Sequence, residues 1–303
     1  MIAARFALYL VLSGLFGLAA FSIYGLKAGE RDDVVALTPW LVGTATLGLL
    51  LSGVALALLA ASMAGTPAWP IDREAVGMLL SGSATGTAWK ARIGALLVAS
   101  VAAAVAAGRA TLLALVVLAS GVALATLAWT GHGAMDEGAI GWAHLAADIL
   151  HLLAAGAWIG ALLGLVLLVV RPVERVDAAH LALTHRALHG FGAVGTIVVG
   201  TIVLTGLMNA WLLVGLDRVL TLGATLYGRL LIAKLVLFGA MLGLASLNRF
   251  RLTPAFEGSI AAGDHVGALR ALRLSLGVET ACVVAILALV AWLGTLEPPI
   301  STI

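Results

Sequence analysis

His144, Asp148 and His151 are separated by four and three residues. At about 100° per residue, that spacing places all three on one face of a helix, and the same face continues through Ala155 to Trp158. Two imidazoles with a carboxylate between them suit a transition metal, with Asp148 either a ligand or the acceptor that fixes a histidine tautomer. The same groups would also serve as hydrogen-bonding cross-links between helices. Three ionisable side chains on one face of an apolar helix are a costly way to pack, which favours a metal or a cofactor.

Lys234 and Glu279 are the other ionisable residues inside apolar runs. At about 1.5 Å rise per residue, Met208 and Lys234 fall at the depth of His151 if successive helices alternate in direction. A thioether with imidazoles favours copper over hard cations, which need oxygen cages. His144, His151 and Met208 are therefore expected to form a copper site open to the outside, with Asp148 adjusting its charge. Lys234 counts against a bare metal cavity, and an Asp148–Lys234 ion pair is an equal reading. His132 with Met135, Met63 and Met78 are weaker candidate ligands in the outer loops. Glu279 and Cys282, three apart, would receive an ion moving inward or simply hydrogen-bond between helices. Asn209 reads as a helix–helix hydrogen bond and Trp158 as packing. His185 and His189, four apart, share a face of a helix leading into the sixth apolar run, either as a release site or as an ordinary interfacial helix.

The elements that must position these residues follow from composition. The 303 residues are 62% hydrophobic and 11% charged, with a mean hydropathy of +1.12. A soluble domain carries roughly 25% charged residues, so soluble and disordered classes are excluded. The single cysteine excludes an internal disulfide framework. A net charge of +2 is too small for a phosphate-binding surface, so the expected partner is a lipid bilayer and not nucleic acid. The chain reads as all-α, a polytopic membrane bundle of about eight transmembrane helices, since a crossing needs about 20 apolar residues. The expected spans are 5–26, 40–63, 91–107, 111–129, 143–170, 190–215, 227–247 and 274–293. Residues 1–303 form one membrane domain without internal repeats. Segment 66–89 reads as an outer interfacial or re-entrant stretch, and 171–189 as a short polar helix on the inner side. Gly156, Gly160 and Gly164, four apart, suit close helix packing. With alternating spans, ten basic residues fall on one side and seven on the other. Loop 130–142 has no Lys or Arg and carries Asp136 and Glu137, so it and both termini are placed outside. No GxxxxGK[ST] loop occurs, which argues against an ATP-driven pump, and the chain is read as a non-enzyme.

The stretches carrying these residues resemble one family in order. They are His144-Leu-Ala-Ala-Asp148-Ile-Leu-His151 with Ala157-Trp158-Ile-Gly160, Thr205-Gly206-Leu-Met208-Asn209-Ala-Trp211, and Tyr227-Gly228-Arg229 through Lys234. Asn248-Arg249-Phe250-Arg251-Leu252-Thr253-Pro254 and Glu279 follow. Together they resemble the CopD (PcoD-like) copper resistance family of bacterial inner-membrane proteins, over a core of 143–303 with looser similarity before it. The resemblance implies eight helices in the inner (cytoplasmic) membrane with periplasmic N- and C-termini. It also implies a periplasmic CopC-type copper-binding partner and passage of copper ions toward the cytoplasm. Movement would follow a gradient, couple to protons through Asp148, Lys234 or Glu279, or depend on handover by the partner. The alternative is a haem b-binding membrane redox or assembly protein using the same helix-face histidines, with His151 and Met208 as a possible axial pair.

Overall fold

The computed structural model describes residues 1–130, 138–172, 176–262 and 266–297. His132 and Met135 lie outside the described residues. Within them the regular structure is helical throughout, and eight helices are long and apolar enough to cross a membrane. They are α1 (Ile2–Gly25), α3 (Leu37–Ala64), α5 (Ala84–Val105), α6 (Ala110–Ala125, prolonged by a 3₁₀ turn at Thr126–Thr130), α7 (Gly138–Val169), α8 (Ala178–Val214), α9 (Leu226–Leu247) and α11 (Val266–Leu293). Two short helices, α2 (Glu30–Val35) and α4 (Arg73–Gly82), join them, and a π-turn at Asn248–Leu252 links α9 to α10 (Thr253–Ala262). The expected all-α membrane bundle is what the chain forms.

Four helices start five residues or more before the expected spans: α5 at Ala84, α7 at Gly138, α8 at Ala178 and α11 at Val266. α8 begins at Ala178, so the polar stretch expected as a separate helix is the first part of a 37-residue rod. Asp177 starts it, its Oδ1 accepting the His180 N–H at 2.8 Å, a side-chain cap that hydropathy does not register. α11 likewise begins at Val266. Within 66–89, Asp72 caps α4 by accepting the Ala75 N–H at 3.0 Å, and Ser83 caps α5 by accepting the Gly86 N–H at 2.9 Å. Ala75 and Leu79 of α4 are buried with Leu56 and Ala60 of α3.

The core is organised on α1, whose Leu12, Leu15, Leu18 and Phe21 are almost fully buried. It packs on α3, α6, α7 and α11. Where α1 crosses α7 the two backbones touch. A Cβ on Gly17 would lie 2.7 Å from Gly160 Cα, and one on Gly160 would overlap the Gly17 backbone. Gly164 faces the Phe21 ring. Small residues serve this purpose in membranes, where dispersion and close approach replace the hydrophobic drive between helices.

Eight crossings bring the start of α1 and the end of α11 to one face, called here the terminal face. Arg5 ties it together, donating to Gly294 O and, at 2.7 Å, to Thr130 O. On the opposite face several arginines that set the charge bias hold helix-end carbonyls. Arg31 is buried and donates to Ser22 O at 3.1 Å and Gly108 O at 2.5 Å. Arg273 donates to Val169 O and Arg171 O, both at 2.6 Å. Cations there complement the negative ends of the helix dipoles.

On the same face Arg186 of α8 bonds both Glu30 carboxylate oxygens at 2.6 Å. Partial burial pushes Glu30 upward, but the Lys27 backbone N–H and the Arg186 guanidinium outweigh it and hold the carboxyl below its ordinary value. A depressed carboxyl stabilises the fold above its unfolded pKa and loses that contribution as pH falls through the folded value. Glu30→Gln is therefore expected to cost at most about 1 kcal/mol at neutral pH, a difference that fades as the medium becomes acidic enough to protonate the folded carboxyl. Melting temperatures of both proteins across that range, at low and high salt, check the pattern.

Candidate functional site

A cavity of about 400 Å³ lies between α1, α7, α8, α9 and α11. It runs from the level of Arg5 and Gly294 at the terminal face to Trp158 and Met241 deeper in the bundle. Most of its wall is apolar, and the exceptions converge. Asp148 and His151 enter from α7, Asn209 from α8, Lys234 and Tyr227 from α9, and Arg5 and Tyr9 from α1.

The antiparallel pairing of α7 with α8 sets the geometry. Asn209 Nδ2 donates to Asp148 Oδ1 at 2.6 Å, and one turn deeper Thr205 meets His151. The Thr205 hydroxyl hydrogen is committed to Thr201 O at 2.6 Å. Thr205 Oγ1 therefore accepts from His151 Nδ1–H at 2.9 Å. That choice of tautomer leaves the Nε2 lone pair of a neutral imidazole available, the form a metal requires. Gly206, between the two α8 partners, is the wall against which the ring rests; a Cβ there would lie 3.5 Å from His151 Cε1. Lys234 interacts electrostatically with both Asp148 and His151.

The structure thus brings Asp148, His151 and Lys234 into one cavity. His144 is buried one turn nearer the terminal face, outside the lining. Met208 is half-buried and flanks the α8 face, whose lining residues nearest it are Gly206, Leu207, Asn209 and Ala210. The thioether on the wall belongs to Met241, about 10 Å deeper than Lys234 at seven residues of helix. Met63 and Met78 are exposed on α3 and α4. Glu279 stands behind the cavity floor, accepting from Trp158 Nε1 at 3.1 Å and Asn248 Nδ2 at 3.0 Å, and Cys282 is half-buried one turn along α11. Among the described residues no three His, Cys, Asp or Glu side chains gather as a metal cage. The cavity instead offers one imidazole, one carboxylate and one thioether in succession.

Two family profiles match the chain. "Copper resistance protein D-like, N-terminal domain" covers residues 1–142, and "Copper resistance protein D" covers 185–293. Copper resistance protein D of Pseudomonas syringae pv. tomato is 45% identical over 301 residues, 98% of this chain and 96% of that protein. The chain belongs to the copper resistance protein D family. Inner membrane protein YebZ of Escherichia coli is 29% identical over 57% of the chain and 55% of its own length. Copper transport protein CutJ of Bacillus subtilis is 33% identical over 42% of the chain and 22% of its own length. No solved structure gives a significant match.

Within this copper resistance family member, Thr205, Asn209, Lys234 and Glu279 lie inside the second profile, and the α7 stripe lies between the two matched ranges. Four wall residues carried no role in the sequence reading: Tyr9, Tyr227, Met241 and, beyond its use for orientation, Arg5. Arg5 had a legible signal as the lone cation in the first apolar run, and Thr205 a weaker one in its place four residues before Asn209. Tyr9 and Met241 offer no spacing that marks them.

Proposed function

We propose that this protein passes copper ions from the periplasm toward the cytoplasm across the bacterial inner membrane, through the α7–α8–α9 cavity. The observation that carries the reading is His151, its Nε2 lone pair freed by Thr205, one turn from the Asp148 carboxylate inside a largely apolar chamber. An imidazole and a thioether suit copper, and a carboxylate with Lys234 beside it tunes the net charge an arriving cation meets. Copper enters at the terminal face, taken as periplasmic from the charge bias, on delivery by a CopC-type protein. His151 and Asp148 receive it, with His144 and Met208 flanking them. Met241 and Trp158 lie next on the way inward. The family and the names of its relatives support copper as the cargo.

The test is copper binding by the purified protein, followed by its absorption spectrum. Copper bound without a Soret band supports this reading, whereas a Soret band transfers the histidines to haem b. Thr205→Val removes the acceptor that selects the tautomer and is expected to weaken copper binding 10- to 100-fold, with Thr205→Ser close to wild type. Equal affinity in all three proteins would remove His151 from the site.

A further inference from the structure

Behind the floor of the cavity is a second cluster of polar side chains built from oxygen. Glu279 of α11 is only 2% exposed, and its two oxygens accept from Trp158 and Asn248. Neither partner carries a charge, and among the described residues no ion pair reaches this carboxyl. Asn248 and Ser275 are each 7% exposed, and both Asn248 Oδ1 and Ser275 Oγ are buried with no hydrogen-bond partner among the described residues. Asn248 Nδ2 is spent on Glu279, so Oδ1 is the oxygen it has left, while Ser275 lies one turn from Glu279 on the same face of α11. Orphaned buried oxygens are uncommon in folded proteins and ask for an occupant.

The backbone is arranged to make this cluster. Asn248 opens the π-turn between α9 and α10, where the helix carries an extra residue per turn, and Thr253 Oγ1 donates to Asn248 O at 2.8 Å. Such π-turns concentrate at functional sites because they re-aim a side chain from its helical register. Trp158 stands between the cavity and this cluster. Its ring lines the cavity floor, packs edge-on against Phe191 at 5.7 Å between centroids, and points Nε1 at Glu279.

We infer that Glu279, Asn248 Oδ1 and Ser275 Oγ form a binding site for a hard monovalent cation, a proton or a sodium ion, separated from the copper cavity by Trp158. The donor set decides the class. Carboxylate, amide and hydroxyl oxygens suit hard cations, while copper(I) prefers sulfur and imidazole. Of the charged and titratable groups on the elements packed against α11, Asp148, His151, Lys234, Tyr9 and Tyr227 line the cavity, Arg229 donates to Gly223 O at 2.9 Å, and Arg270 is exposed. Arg249 donates to Thr196 Oγ1 at 2.5 Å and stacks on Phe250, and Arg251 is exposed. Arg273 holds helix-end carbonyls, Glu257 is exposed beside His185, and Cys282 contributes sulfur, not oxygen. On α1, Arg5 is tied to Thr130 and Gly294 at the terminal face. The site itself stands on these residues alone. Its use as the coupling ion for copper passage rests on the function proposed above.

The direct test needs no copper. Infrared difference spectra of the purified full chain in lipid, recorded while pH and then sodium are stepped, should show the carbonyl stretch of a protonated carboxyl that vanishes in Glu279→Gln. Loss of that band on raising pH at constant sodium identifies the proton as the ligand, and loss on adding sodium at constant pH identifies sodium. A band that responds to neither, or one unchanged in Glu279→Gln, overturns the site. Ser275→Ala, a milder change, should shift the pH or sodium midpoint severalfold even if Glu279→Gln folds poorly, and an unmoved midpoint would exclude Ser275. In proteoliposomes, Glu279→Gln should bind copper with wild-type stoichiometry yet lose at least tenfold in gradient-driven uptake. Failure of copper binding in the wild type would strike the proposed function and leave the infrared result standing.

Discussion

Gly160→Leu is expected to abolish the folded bundle. A single Cβ at position 160 would already overlap the Gly17 backbone, and the obstacle is main chain on both sides. Side chains relieve overpacking by changing rotamer, but crossing backbones relieve it only by separating the helices. Core overpacking usually costs about 1–3 kcal/mol, and a contact with no rotamer to give belongs at or above the top of that range. The loss also spreads, because α1 is the helix on which α3, α6, α7 and α11 all pack. Gly17→Leu should behave alike. Gly164→Ala meets the Phe21 ring, a side chain, and should cost less. Gly200→Ala on α8, with nothing within 4 Å, should be neutral or slightly stabilising. Size-exclusion profiles and melting temperatures in detergent rank the four, and a Gly160→Leu protein that melts with wild type would show that the α1–α7 contact is not a close one.

Asp148→Asn is expected to remove copper uptake and also to weaken the fold, and a second substitution separates the two effects. Asp148 and Lys234 share a chamber with little water-like polarity, so each offsets the other's charge. Both side chains are half-buried, so removing one leaves the other's charge less compensated and should cost stability, though less than the about 3–5 kcal/mol of a fully buried pair. Replacing both with neutral groups of similar size is close to neutral. Asp148→Asn/Lys234→Met should therefore recover the melting temperature of wild type while copper uptake into proteoliposomes stays at the level of protein-free vesicles. His151→Ala should lose uptake with little change in melting. If the double variant regains uptake along with stability, Asp148 is a structural counter-ion to Lys234 and not part of the copper path.

The architecture was written in the sequence because hydropathy reports burial in lipid directly. Runs of twenty apolar residues gave eight helices, and glycines spaced by four on α7 gave the close crossing. What hydropathy does not report is a cap or a π-turn, so α8 proved longer than its apolar part and the re-aiming of Asn248 went unseen. The α7 stripe was legible because a helical period of 3.6 makes His144, Asp148 and His151 co-facial. Which of them reach the cavity depends on how far α8 is rotated against α7, and that is set by Thr205 and Asn209 acting together. The same rotation leaves Met208 on the flank, while Met241 reaches the wall from α9. Trp158 reads as packing in one dimension, but its indole N–H bonds a carboxylate 121 residues away, a pairing that only the fold reveals.

α8 is 37 residues long, roughly 55 Å at 1.5 Å per residue. One end holds Asp148 and His151 through Asn209 and Thr205, and the other engages Glu30 through Arg186 and faces Glu257 through His185, whose Nε2 is 3.6 Å from the carboxylate. A rod that long cannot release one of its grips on α7 without straining the next. One continuous helix therefore joins the two side chains that hold Asp148 and His151 to the carboxylates of Glu30 and Glu257, so the polar contacts at its two ends share a single rigid element.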